Sequence, residues 1–156
     1  MKITCNWLKD YVDYSWHWPE LVERLTMAGL EYEGVDDLGK RLDGVVVGRI
    51  EACRPHENAD RLTVCEIDVG SAVNTIVCGA PNVAAGQTVA VALPGCTLAG
   101  GLVIKKAKIR GIESHGMICA EDELGLGDNH DGIMVLEDNL EIGSPFAAAV
   151  GLEDVI

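Results

Sequence analysis

The densest chemistry in the chain lies between Leu102 and Gly127, L-V-I-K-K-A-K-I-R-G-I-E-S-H-G-M-I-C-A-E-D-E-L-G-L-G. Lys105, Lys106, Lys108 and Arg110 crowd together there with no acidic residue among them. Gly111-x-x-Ser114-x-Gly116-Met117 follows at once. Cationic side chains on a predicted strand, with glycines that let the main chain turn tightly, suit contact with a phosphate backbone. Ser114 adds a hydroxyl able to donate to a phosphate. The competing reading of the same cluster is a solvated face that protects a strand edge. A second polar group, His56-Glu57-Asn58-Ala59-Asp60-Arg61, reads as a turn between two strands. Asn and Asp side chains there bond neighbouring backbone N–H groups, which leaves Arg61 as its exposed contact.

Other chemistries are poorly served. His115 and Cys119 stand four apart, and His130 follows with Asp128 and Asp131. A closed structural zinc site takes four ligands, commonly with paired C-x-x-C or H-x-x-x-H spacing, and neither pair occurs, so no metal is expected. Nothing around His56 or His115 marks a cysteine as an activated nucleophile. No P-loop, G-x-S-x-G or H-E-x-x-H is present, so no catalytic residue is expected.

The charge balance limits what the basic cluster can do. The 156 residues carry a formal net charge of −13. Residues 101–119 carry four basic side chains against one acidic, and residues 120–156 hold ten acidic side chains and no basic one. A chain of this kind does not bind nucleic acid indiscriminately, so contact must be local. No apolar run reaches membrane-spanning length, and no basic-then-apolar signal pattern opens the sequence. Six cysteines, three of them in or beside apolar strand-like runs, read as reduced thiols of a cytoplasmic protein.

The elements that must position these groups are mostly strands. Hydrophobic residues make up 48% of the chain and charged ones 24%, which predicts a folded domain. Only one Phe, three Trp and three Tyr are present, so the core must be Val, Ile, Leu and Ala. Residues 3–14 read as a short strand and turn. Leu21, Val22, Leu25 and Ala28 recur at helical spacing, with Pro19 at the first turn and Gly29 just past the end, predicting a helix over 19–28. Residues 31–43 are acidic and glycine-punctuated, a linker by composition. Strands are predicted at 45–53, where Gly48 marks a bulge or bend, and at 61–70, 74–78 and 88–93. The basic segment 102–110, Met117-Ile118-Cys119 and the apolar 133–136 supply further pieces, and 145–150 a short helix.

Several of these stretches resemble a known family. Val47-Gly48-Arg49-Ile50, the 56–62 turn, Val64 to Gly70, Ile76-Val77-Cys78-Gly79-Ala80 and Lys108 to Met117 are similar to the tRNA-binding oligonucleotide-binding module of synthetases and accessory proteins. Val77 to Val83, Val91 to Gly95, Ile118 to Leu126 and Asp131-Gly132-Ile133 narrow the likeness to the N-terminal region of bacterial phenylalanyl-tRNA synthetase beta subunits. Asn6-Trp7-Leu8 and Leu25 to Glu31 fit the same family. The resemblance implies an α+β, β-rich fold: a five-stranded Greek-key OB-fold barrel at 41–150, inserted after a partial N-terminal α/β subdomain at 1–40 that resumes at 151–156. It implies tRNA as partner, met by Lys105, Lys106, Lys108, Arg110, Arg61 and Ser114, with no DNA and no membrane expected. The family's enzyme is an alpha2-beta2 heterotetramer that joins phenylalanine to its tRNA with ATP and magnesium, catalysis residing in the alpha subunit. The present stretch would then be a non-catalytic, tRNA-binding and architectural piece, or alternatively a protein–protein assembly module with no RNA affinity of its own.

Overall fold

β-Branched residues in alternation pair into strands from Val45 onward. The computed structural model describes residues 1–151. Its strands are β1 (Val45–Pro55), β2 (Thr63–Asp68), β3 (Val73–Cys78), β4 (Thr88–Ala92), β5 (Ala107–Ile109), β6 (Ile112–Ser114), β7 (Met117–Ile118) and β8 (Val135–Leu136). Six of them form one antiparallel sheet in the order β3-β2-β1-β4-β7, with β8 also on β4. Strands β5 and β6 form a separate hairpin. The sequence predicted a closed five-stranded barrel; the ladder is six-stranded and open. Strand β7, two residues long, pairs with β4 and not with β3 among the described residues. The gap is spanned instead by single bonds, His115 N–H to the Thr75 carbonyl at 2.8 Å and Asn74 Nδ2 to the His115 carbonyl at 3.3 Å.

Strand β1 is the spine, paired to β2 on one side and β4 on the other. Its irregularity falls between Ile50 and Ala52 rather than at Gly48. Gly48 serves close packing: a Cβ there would stand 2.8 Å from Val91 Cγ2 and 2.9 Å from Ile67 Cγ2. Every residue of β4 is buried, so both faces of that strand are covered. One apolar cluster, including Ile50, Ile67, Ile76, Val89, Val91 and Ile118, lies on one side. The other gathers Val45, Ala90, Ala92, Leu98, Leu124 and the single Phe, Phe146, which is wholly buried. Phe146 arrives on helix α4 (Phe146–Ala149), held to β1 by Val47 N–H to the Ser144 carbonyl and Gly143 N–H to the Val47 carbonyl.

The N-terminal part departs from expectation at one place. Residues 5–9 form helix α1 (Cys5–Lys9) rather than a strand. The reason is local: the Thr4 side chain accepts the Trp7 N–H at 3.1 Å, a helix N-cap. Helix α2 (Trp18–Met27) lies one residue earlier than predicted and ends as predicted at Gly29, whose φ is +92°. Gly29 N–H bonds the Thr26 carbonyl and Leu30 N–H the Leu25 carbonyl, the Schellman pattern. The expected linker contains a short helix α3 (Leu38–Arg41), capped by Asp37 accepting the Lys40 N–H. Of the expected return segment 151–156, residues 152–156 lie outside the described residues.

Candidate functional site

Ala107↔Ser114, Lys108↔Glu113 and Ile109↔Ile112 pair across the β5–β6 hairpin, which leaves Arg110 and Gly111 as a two-residue turn. Both are left-handed, with φ of 52° and 90°, and Arg110 is the only non-glycine residue with positive φ among those described. Two left-handed residues give the type I′ twist that matches paired strands, a position usually filled by Asn-Gly. An arginine there is strained by about 1 kcal/mol.

The tip does not stand alone. His56 is buried, 5% exposed, under it. Its Nδ1 accepts the Asn58 N–H at 3.0 Å, so Nε2 carries the proton and donates to the Ile109 carbonyl at 2.9 Å. Asn58 Nδ2 reaches the Arg110 carbonyl at 3.4 Å, and His56 N–H closes the turn on the Leu62 carbonyl. The 56–62 turn and the hairpin tip are therefore one clamped unit. The sequence read Asn58 and Asp60 as fixing their own turn; Asn58 does so by its N–H and also grips the hairpin 52 residues away.

Lys105, Lys106, Lys108, Arg110 and Arg61 are all exposed. None of them forms an ion pair among the described residues. Only Lys108 lies in β5; Lys105 and Lys106 precede it in irregular chain, so the expected long basic strand is a short one. Ser114 departs from its expected part. It is 3% exposed, its Oγ accepts the Val77 N–H at 3.1 Å and donates to the Gly116 carbonyl at 3.3 Å, so its one O–H is engaged in tying the hairpin base to β3.

Between β3, the hairpin and the 120–133 loop lies a cleft of about 550 Å³. Its walls are apolar, with Val77, Pro81, Ile109, Met117 and Ile133, and Lys105, Glu123, His130 and Asp131 line it as well. Asn82 fixes the far wall, its Oδ1 accepting the Ile133 N–H and its Nδ2 donating to the Ile133 carbonyl, at 2.9 and 3.0 Å. No local pattern in the sequence announces this cleft, because its walls come from three separated segments.

Ligand atoms of Asp122, Glu123 and His130 lie within 4.8 Å of one another. His130 Nδ1 stands 2.9 Å from Asp122 Oδ2, and the hydrogen bond and charge of Asp122 raise the imidazole's pKa. Its partner is Asp122 rather than the Asp128 or Asp131 picked out by sequence proximity. Burial pushes the Glu123 carboxyl upward, against the Ala120 N–H that it accepts at 3.3 Å. His115 meets Glu113 at 3.5 Å, and Cys119 is buried, its thiol pushed up to about 12 chiefly by desolvation. A thiol so placed is a core residue, with no thiolate character at neutral pH.

Comparison with known proteins adds to this geometry. Residues 45–145 match the family described as "Putative tRNA binding domain". The chain is 54% identical, over 94% of its length, to the phenylalanine-tRNA ligase beta subunit of Salinibacter ruber, and 49% identical over 99% of its length to that of Syntrophotalea carbinolica. It spans about a fifth of those relatives, 19% of each. Among solved structures, the crystal structure of a MetRS-related protein from Pyrococcus horikoshii aligns with a TM-score of 0.49 at 18% identity, covering 64% of this chain and 85% of that one.

Proposed function

The chain belongs to the tRNA-binding domain family, and from that premise we propose that it contacts tRNA through the clamped hairpin, using Lys105, Lys106, Lys108, Arg110 and Arg61. The observation that carries this reading is a set of exposed cations with no ion-pair partners among the described residues, hung from two loops that His56 and Asn58 lock together. Cations without protein partners are free to displace the counterions of a phosphate backbone. Contact of this kind positions a nucleic acid by its backbone and shape rather than its sequence. Ser114, with its hydroxyl engaged, is left out of the contact set.

In the same reading, residues 41–150 are an OB-type Greek-key module, residues 1–40 open a second subdomain, and residues 151–156 begin its return. The longer protein is a phenylalanyl-tRNA synthetase beta subunit, working in the cytoplasm with an alpha subunit in an alpha2-beta2 assembly. ATP and magnesium serve that assembly's ligation of phenylalanine to tRNA, while the present residues bind and position without catalysing. The near-full-chain identity to beta subunits supports this placement.

The test is fluorescence anisotropy of labelled tRNA against the 156-residue chain and a Lys105/Lys106/Lys108→Glu variant. Salt-sensitive binding lost in the variant is expected. Absence of binding at low salt would favour the assembly-module reading, for which a separate observation speaks: Trp7, Tyr11, Met27, Leu30 and Tyr32 of the N-terminal part are exposed. Such side chains suit burial against another protein surface.

A further inference from the structure

The basic hairpin accounts for phosphate contact but leaves the cleft beside it without a task. We infer that this cleft holds one unpaired nucleotide of the bound RNA, its base between the apolar walls, its amino-bearing edge toward Glu123 and its phosphates toward Lys105. The inference rests on the tRNA-contact reading above and deepens it.

Three features point to this occupant. The first is size: about 550 Å³ falls within the range of small-molecule sites, about 300–1,000 Å³, and so suits a single nucleotide. The second is the pairing of charge and wall. Lys105 lines the cleft and continues into Lys106, Lys108 and Arg110, so a polyanion's backbone is favoured at this rim. The walls, Val77, Pro81, Ile109, Met117 and Ile133, offer apolar surface to a planar ring. No Phe, Tyr or Trp among the described residues lines the cleft, so apolar contact holds most of the base, with the His130 imidazole the one ring at its edge.

The third feature is Glu123. It lies on the cleft wall, and the one bond it makes among the described residues is the Ala120 N–H at Oε1. An ionised carboxylate only accepts hydrogen bonds, so it selects an edge that only donates. Guanine presents two adjacent N–H donors on its Watson–Crick edge. Cytosine and adenine present one amino group beside an acceptor, and uracil a single N–H between two carbonyls. The order of preference is therefore guanine, then cytosine and adenine, then uracil. Leaving a site's polar group unpaired against the wrong base is what makes such discrimination large.

The experiment uses labelled uridine hexamers carrying one central guanosine, adenosine, cytidine or uridine, titrated into the 156-residue chain. The guanosine hexamer is expected to bind about tenfold more tightly than the all-uridine one, in line with a bidentate contact. That preference is expected to vanish in Glu123→Ala, and independently in Ala107→Trp, which fills the cleft from an exposed strand position. Methyl signals of Ile109, Met117 and Ile133 are expected to shift on RNA addition. Salt-sensitive binding of all four hexamers with equal affinity would overturn the nucleotide pocket alone and leave backbone contact standing. Unmoved methyl signals at saturating RNA would overturn it as well. Failure of every hexamer and of tRNA to bind would overturn both readings together.

Discussion

A single histidine decides whether the basic tip is held or loose. His56 is buried and bonded at both ring nitrogens, to the Asn58 N–H and the Ile109 carbonyl. Replacing it with Ala strands one donor and one acceptor, a loss of about 1–3 kcal/mol. His56→Ala is therefore expected to lower the urea midpoint and also to weaken tRNA binding, although His56 itself faces away from solvent. Unchanged affinity in a folded His56→Ala protein would mean that the tip needs no clamp. Glu123 gives a second residue-level expectation. Burial is the largest influence on its carboxyl and raises it from its usual 4.5, Asp122 raises it further, and the Ala120 N–H and His130 act against them. With the folded value above the unfolded one, the folded state binds the extra proton in the window between them. Stability must then fall as pH rises from 4.5 through the folded value, and Glu123→Gln is expected to flatten that part of the profile.

At the scale of elements, the β5–β6 hairpin combines a strained turn with an exposed charge. Arg110 holds a left-handed conformation that Asn adopts more readily. Arg110→Asn should keep or raise stability by up to about 1 kcal/mol while weakening RNA binding, a divergence measurable by thermal melting alongside anisotropy. A residue kept for packing alone would lose in both assays. The hairpin also shows how far the sequence could be read. Lys108, Arg110 and Gly111 stood out by composition, and β1 to β4 followed from β-branched runs bounded by glycine and proline. Helix α1 was missed because its five residues carry little periodicity and its signal is one cap, Thr4. The bulge was assigned to Gly48 because glycine is the usual marker, whereas packing against Val91 and Ile67 explains that glycine. Ser114 read as a phosphate donor because nothing local reveals that its partners are Val77 and Gly116. The clamp joins residues more than fifty positions apart, and the cleft three segments, so neither leaves a pattern in any one window of sequence.

Over the whole molecule, a net charge of −13 must coexist with binding to a polyanion. Charges separated by more than about 8–10 Å are largely screened at physiological salt, so the acidic remainder opposes RNA mainly when salt is low. The hairpin cations act at contact and give counterion release. If Lys105, Lys106, Lys108, Arg110 and Arg61 each meet one phosphate, log affinity should fall against log salt with a slope of about −4. A charge-blind surface would give a slope near zero, and one spread over the whole molecule would require cations that residues 120–156 do not have. Two opposing effects make the profile diagnostic. At the lowest salt, unscreened repulsion from the acidic residues should bend the line below its extrapolation, and neutralising the exposed Glu137, Asp138 and Glu141 to amides should straighten it without changing the slope at higher salt. A uniform rise in affinity at all salt concentrations would instead mean that those carboxylates lie at the contact itself, placing the RNA over the 137–141 segment rather than over the clamped hairpin.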